Sequence, residues 1–261
     1  MARWHLVELE DLPWFPRLLR DAGTGFLAEA MRVGRQPRHV APKLREVVAR
    51  TRLKTVVDLC SGGGGPAKLF AKDPTLEGLA WTFTDLHPPK AAAAIATQAS
   101  AGGNNVRYFP QPVDATRVPA QLPGIRTIFN GFHHFRPESA RAILQAAVDD
   151  RSPIFIAEFV ERTPLCILGM LFPPLSAFFL IPLIRPFRWQ WLVYTYLIPV
   201  IPLFILWDGL VSCLRVYSPK ELDGLIAQLS DKESFTWETG RLPLPGAPSR
   251  STYLVGVPRG T

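Results

Sequence analysis

Charge and cysteine are both scarce in this 261-residue chain. Only 20% of its residues are Asp, Glu, Lys or Arg, and the three cysteines, Cys60, Cys166 and Cys213, show no CxxC spacing. So small and odd a set excludes a disulfide framework or a zinc site built on cysteine, and it points to a reducing cytosol. Internal repeats, RGG boxes and lysine blocks are also missing, the basic residues of 17–54 being scattered. The first ten residues turn acidic without an apolar run, so no secretory signal is expected.

What charge there is leans positive. Lys and Arg number 29 against 22 Asp and Glu, a net +7, and the pI is about 9.6. That balance alone leaves nucleic acid and anionic membrane open as partners. Apolar residues make up 48%, which excludes disorder and collagen-like sequence. A positive mean hydropathy with so little charge is unusual for a soluble enzyme. The length suits one α/β domain with additions.

Four stretches organise the chain. Residues 1–50 read as an amphipathic helical cap. A helix is expected from His5 to Arg20 despite Pro13 and Pro16, followed by helical stretches at Phe26–Met31 and Val40–Val48. From 51 to 162 short apolar runs alternate with helix-like stretches: strands near 55–59, 81–86, 106–109, 127–130 and 154–159, with helices opening at Pro66, Lys90 and Pro137. Such alternation implies a mostly parallel sheet covered on both faces. Residues 163–212 break the rhythm. In 213–261, Ser218, Pro219 and Glu221 signal a capped helix to about Leu229. Two last strands, at 235–239 and 252–257, suit an antiparallel hairpin at the sheet edge.

The stretch from Asp58 to Gly65 carries the chemistry. Glycine between a strand and a helix serves backbone that must take positive φ or approach a ligand closely, and it lies at the sheet's carboxyl edge, where α/β folds bind nucleotides. A dinucleotide site needs GxGxxG and an acid some 20 residues on. Here the glycine register is too short, and an acid already ends the first strand.

This pattern resembles that of the class I S-adenosylmethionine (SAM) dependent methyltransferases, whose first motif is (D/E)xGxGxG. Asp58, Cys60, Gly62 and Gly64 match it, with Cys60 in place of the first glycine. The resemblance implies a Rossmann-like α/β fold and SAM as cofactor. It implies cofactor contacts from Asp58, Cys60, Ser61, Gly62 and Gly64, from Asp85 and Leu86 after the second strand (ribose hydroxyls), from Asp114 and Ala115 after the third (adenine amino group), and from Asn130 after the fourth. Resemblance covers roughly residues 50–160. The charges agree with it, since carboxylates suit the hydroxyls, ammonium and sulfonium of SAM, whereas a pyrophosphate wants the opposite sign.

Catalytic candidates are His134, His133 and Glu158. A general base helps to deprotonate an oxygen or nitrogen acceptor, and the two histidines follow the fourth strand, where the family places the methyl group. Neighbouring loop residues do not readily face one site, which favours His134 over His133. Glu158 ends the fifth strand, with pairing to Arg162 as its alternative; Asp208 and Tyr217 are further candidates for lining the acceptor pocket. The several carboxylates that metal-dependent relatives place after the fourth strand are missing at 130–135, so no metal is expected. The (D/N)PP(Y/F/W) signature of base-amino methyltransferases is missing as well, so nucleic acid is not the expected partner.

Residues 163–184 and 189–207 contain no charged side chain. Each run is long enough to span a bilayer as a helix, and Trp189, Trp191, Tyr194, Tyr196 and Trp207 resemble an interfacial belt. Pro173, Pro174, Pro182, Pro199 and Pro202 oppose a full crossing. Arg185 and Arg188 at the tip would also lie on the wrong side under the positive-inside tendency. A hairpin dipping into the inner, cytoplasmic leaflet ranks first, a soluble hydrophobic lid second and a two-pass anchor third. All three predict a hydrophobic small-molecule or lipid-like acceptor.

Overall fold

Alternating apolar runs and helices assemble into one seven-stranded sheet in the computed structural model, which describes residues 1–100, 105–247 and 249–260. The strands are β1 (Thr55–Asp58), β2 (Ala80–Phe83), β3 (Asn105–Tyr108), β4 (Ile125–Phe129), β5 (Ile154–Glu158), β6 (Phe235–Pro243) and β7 (Arg250–Pro258). Their order is β3-β2-β1-β4-β5-β7-β6. The pairings among β1–β5 are all parallel; β7 enters antiparallel between β5 and β6. The expected hairpin is therefore present, and β6 forms the edge.

Helices α1 (Arg17–Val33), α2 (Pro37–Thr51), α3 (Ala67–Ala71), α4 (Ala92–Ser100) and α5 (Pro137–Asp149) precede β5; α6 (Pro164–Gly169), α7 (Phe172–Leu180), α8 (Gln190–Leu192), α9 (Val200–Arg215) and α10 (Pro219–Ile226) follow it. The expected helix from His5 to Arg20 is not formed. Of that stretch only the 3₁₀ turn Leu9–Asp11 and the last four residues, where α1 starts at Arg17, are helical. Pro13 and Pro16 account for this, since each removes an N–H and disfavours helical backbone in the residue before it. What precedes α1 is a strap that runs to α9, where the Trp4 N–H donates to the Leu214 carbonyl. The α10 capping box forms as expected between Ser218 and Glu221.

Successive strand residues point to opposite faces. Phe83, Phe129, Phe155 and Val255 pack under α2 and α3 with Leu44 and Phe70. Val57, Ile128, Ile156 and Leu254 pack under α5 and α10 with Leu144 and Leu222. Burial on both faces is why the strands read as near-continuous apolar runs. Phe70 stacks on Phe129 with ring centroids 4.0 Å apart, fixing α3 and hence the loop before it.

A third cluster lies away from the sheet. Phe15, Leu19 and Phe26 meet Ala177, Ile181, Ile184, Trp191, Phe204 and Ile205, so α1 and the hydrophobic insert share a core. The prolines act as expected: Pro173 and Pro174 open α7, and the chain turns by 79° between Gln190–Leu197 and Val200–Arg215, beside Pro199. Among the described residues, the helical run Pro164–Leu183 is long and apolar enough to cross a membrane, yet only 17% of its most apolar 18-residue stretch is buried. Its outer face bears Leu165, Leu168, Phe172 (69% exposed), Leu175 and Phe179 (76% exposed).

Candidate active site

The glycine loop joins β1 to α3 at the carboxyl edge of the parallel strands. Cys60, Gly62 and Gly64 take φ of +61°, +49° and +84°. Two are glycines, as the left-handed region favours; the third, Cys60, adopts it at a cost of roughly 1–2 kcal/mol. A Cβ placed on Gly64 would lie 2.8 Å from Ile95 Cγ2 and 2.9 Å from Lys68 Cγ and Cδ, while one on Gly62 would meet nothing within 4 Å. The open space at Gly62 suits close approach by a ligand.

Asp58 braces this loop from beneath. Its carboxylate accepts from the Ser61 hydroxyl at 2.5 Å and the Thr127 hydroxyl at 2.8 Å. Burial pushes its pKa up to about 7, against those two hydrogen bonds. Ser61 is bound into the turn, its N–H donating to the Thr84 carbonyl. The Tyr108 hydroxyl donates to the Gly62 carbonyl at 2.9 Å. Asp85 clasps the loop from the β2 side, accepting from the Gly62 N–H at 2.8 Å and the His87 N–H at 2.7 Å. Each of its oxygens retains a second lone pair. Leu86 beside it is half exposed.

Asp114 stands at the surface and accepts from the Thr116 N–H and hydroxyl, both at 2.8 Å, with Ala115 buried next to it. Asn130 takes φ +51°, and its Oδ1 accepts from the Phe159 N–H at 3.3 Å, tying the ends of β4 and β5 together. A Cβ on Gly131 would lie 4.0 Å from that of Cys60. The post-β4 turn and the glycine loop are thus neighbours. Of the residues singled out for the cofactor, Asp58 and Ser61 face inward as supports, whereas Asp85, Leu86 and Asp114 remain accessible at the rim.

Phe132–His134 form a 3₁₀ turn that places both histidine rings side by side, centroids 4.3 Å apart and planes 32° apart. The expectation that neighbouring loop residues do not readily face one site is corrected here, since the tight turn sets the two rings side by side. His133 is 1% exposed. Its Nδ1 lies 2.7 Å from Glu158 Oε2, and its N–H donates to Glu158 Oε1 at 3.0 Å. Glu158 therefore serves His133, and its alternative partner Arg162 pairs with Glu221 instead. His134 Nδ1 lies 2.9 Å from Asp11 Oδ1.

The strap supplies the residues that sequence reasoning missed. Glu8, 1% exposed, sets Oε1 3.5 Å from His133 Nε2 and Oε2 3.7 Å from His134 Nε2. Burial pushes its pKa up to about 8, against the pull of His134 and Arg215. Burial also raises that of Asp11, but hydrogen bonds and charge from His134 and Arg215 outweigh it and hold the group well below the usual carboxylate range. Arg215 donates to Asp11 at 2.6 Å and to the His134 carbonyl at 3.0 Å. Asp208 accepts the Leu9 and Glu10 N–H groups at 2.7 and 3.1 Å. The Tyr217 hydroxyl donates to the Phe135 carbonyl at 2.7 Å, with the Arg3 guanidinium over its ring. Asp208 and Tyr217 hold the strap in place. The one sequence signal for this joint was the acidic Glu8, Glu10 and Asp11 in a mostly apolar segment; their partners lie about 123–207 positions away.

No protein-family model matches the chain, and no curated protein matches it by sequence. Among solved structures, the plantazolicin methyltransferase BpumL in complex with a triazolic desmethylPZN analogue and SAH is similar at TM-score 0.52 and 10% identity, over 93% of this chain and 99% of that one. The magnesium protoporphyrin IX methyltransferase (ChlM) from Synechocystis PCC 6803 with bound SAH gives TM-score 0.48 and 14% identity, over 96% and 91% of the two chains. The similarity to BpumL, over nearly the full length of both chains, shows a shared fold, that of the class I methyltransferases.

Proposed function

We propose that this chain, built on the class I methyltransferase fold, transfers a methyl group from SAM to a hydrophobic small-molecule or lipid-like acceptor at the inner face of a membrane. One observation carries the reading: a positive-φ glycine loop clasped by Asp85 opens at the same sheet edge from which an outward-facing apolar helical layer departs.

The donor set fits the cofactor. The free lone pairs of Asp85 suit ribose hydroxyls, Leu86 and Ala115 offer apolar contact to a base, Asp114 suits an exocyclic amine, and Gly62 leaves room beside the backbone. Cys60, Gly64 and Asn130 shape that cradle, while Asp58 and Ser61 fix it from below. SAM, when bound, supplies a methyl group made electrophilic by its sulfonium. The protein's own share is positioning, with proton handling by the group around His133, His134 and Glu158, worth about 10²–10⁴-fold where the acceptor is acidic enough to need a base. His134, with its side chain 25% exposed, is the more accessible of the pair and the favoured proton acceptor.

The insert supports the apolar acceptor and the membrane. A soluble lid turns its apolar face inward, but Leu165, Leu168, Phe172, Leu175 and Phe179 face out. Trp189, Tyr196 and Trp207 are exposed near the ends of the apolar runs, whereas Trp191 is buried, its indole N–H donating to the Leu18 carbonyl. At the tip Arg185 suits contact with lipid phosphates, while Arg188 pairs with Asp21 at 3.1 Å and ties the tip to α1.

Calorimetry of the purified protein with SAM and with S-adenosylhomocysteine tests the cofactor. Micromolar-range binding, lost in Asp85→Ala with the fold intact by circular dichroism, is expected; no binding by the native chain ends the reading. Incubation of a lipid extract with methyl-labelled SAM then separates acceptors: label should enter the organic phase. Label confined to RNA or protein would overturn the acceptor class.

A further inference from the structure

We infer that Glu8, His133 and His134 form a binding site for one divalent transition-metal ion, a role nothing above assigns to them. Both rings are prepared as ligands. His133 Nδ1 is held by Glu158 at 2.7 Å and His134 Nδ1 by Asp11 at 2.9 Å. A carboxylate behind each ring fixes the tautomer with the proton on Nδ1, leaving the Nε2 lone pair to face the Glu8 carboxylate.

The Nε2 of His133, on a side chain 1% exposed, has no hydrogen-bond partner. Glu8 Oε1 stands 3.5 Å away and Glu8 Oε2 3.7 Å from His134 Nε2, which is too long for a hydrogen bond. The His133 lone pair is thus a buried polar atom without a donor, which an ion seated between the rings and Glu8 would satisfy. Ser212 Oγ and Arg215, each at 3.2 Å, already hold Glu8 Oε1, leaving Oε2 as its ligand atom. The spacing suits one: tetrahedral bonds of ~2.1 Å separate neighbouring donors by roughly 3.4 Å. All three donor atoms fall within 4.8 Å of one another.

Charge favours the same conclusion. Four carboxylates, those of Glu8, Glu10, Asp11 and Glu158, lie against the ring nitrogens, and Asp208 stands beside Glu8 and Glu10. Two guanidinium groups answer them: Arg215, on Asp11 and Glu8 Oε1, and Arg3, on the His133 carbonyl. His5 adds nothing at the rings, lying against Arg3 at 3.3 Å. The neighbouring carboxylate group Glu8, Glu10 and Asp208 is a poorer donor set, because both Asp208 oxygens already accept backbone N–H groups. Two imidazoles and one carboxylate select zinc, cobalt or iron(II) over magnesium or calcium. Three protein donors leave a fourth tetrahedral position for water or an acceptor oxygen. The ion would also pin the strap to the post-β4 turn, and with it bound His134 would position the acceptor rather than take its proton.

Sequence reasoning excluded a metal because no carboxylates follow β4; the donors found here are imidazoles, joined by a carboxylate some 125 positions earlier. The test uses the full chain, stripped with chelator and dialysed. Calorimetric titration with Zn²⁺ should give one ion per chain. Co²⁺ should give the visible bands of a tetrahedral nitrogen–oxygen site, without a thiolate charge-transfer band, which excludes Cys166 and Cys213 as ligands. His134→Gln, at a partly exposed position, and Glu8→Gln should each weaken binding by more than about tenfold, and His39→Gln should not. No stoichiometric binding, or equal binding by native chain and His134→Gln, overturns the proposal. SAM titration of the same stripped protein separates this outcome from failure of the methyltransferase reading, since neither measurement needs the other ligand.

Discussion

The sheet and the helical insert obey one rule with opposite results. In the sheet, phenylalanines such as Phe83 and Phe155 are fully enclosed, and each polar strand-end residue singled out, from Asp58 to Asn130, has a partner. In the insert only the inner face is enclosed, where Phe204 packs on Phe15 at 5.1 Å; Phe172 and Phe179 on the outer face stand in the open. Hydrophobic burial is thus completed within the chain in one region and left incomplete in the other, and the proposed membrane contact rests on that difference.

The largest effect should come from that open face. Phe172→Ser, Leu175→Ser and Phe179→Ser together should reduce partition onto anionic lipid vesicles by about a thousandfold, from about 1.5 kcal/mol or more per side chain, measured by flotation. Their effect on folding stability should stay within about 0.5 kcal/mol each. Equal flotation of native and triple-variant protein would erase the contrast between the two regions.

Phe204→Ala asks the reverse. It should cost about 3–5 kcal/mol of stability, read from urea midpoints, with little change in vesicle binding per folded molecule. A midpoint within error of the native one would mean that α1 and the insert do not share a core.

A third test uses pH and the buried Asp58. Its folded pKa of about 7 lies above the ordinary value of 3.8, so between the two the native state keeps a proton that the unfolded chain has released. Stability should therefore fall as pH rises through this window, by at most about 1.4 kcal/mol per pH unit, and level off above pH 7. Asp58→Asn should remove that part of the slope; parallel native and variant curves in urea between pH 5 and 8 would contradict it.

Smallest is Cys60→Gly. Relief of the +61° backbone, partly offset by a more flexible unfolded chain, should stabilise by about 0.5 kcal/mol. A lower melting temperature would show that the thiol makes a contact worth more than the strain.

Much of the sheet was legible because its signals are local. Strand ends, the Gly62–Gly65 run and the Ser218 cap each sit within a few residues of the partners that define them. Helix starts were less so, and Pro13 and Pro16 decided against the amphipathic pattern between His5 and Arg20. At the candidate site, Asp85, Asp114, Asn130 and the histidines were visible as residues in order. Their partners were not. Glu158 could be set beside Arg162 by proximity in sequence, yet it turned to His133. Glu8, Asp11 and Arg215 meet only because the strap crosses to α9, and no local pattern encodes a joint spanning 204 positions.

The placement of β7 has a consequence for biogenesis. The strand pairing with both β5 and β6 is the last of the seven to leave the ribosome, so the flank of β5 stays unzipped until then. The oily helices, emerging dozens of residues sooner, are already in search of cover while the sheet is still open. Docking on a bilayer during synthesis would shield them in that interval, and would keep an unfinished sheet margin from recruiting strands of other chains.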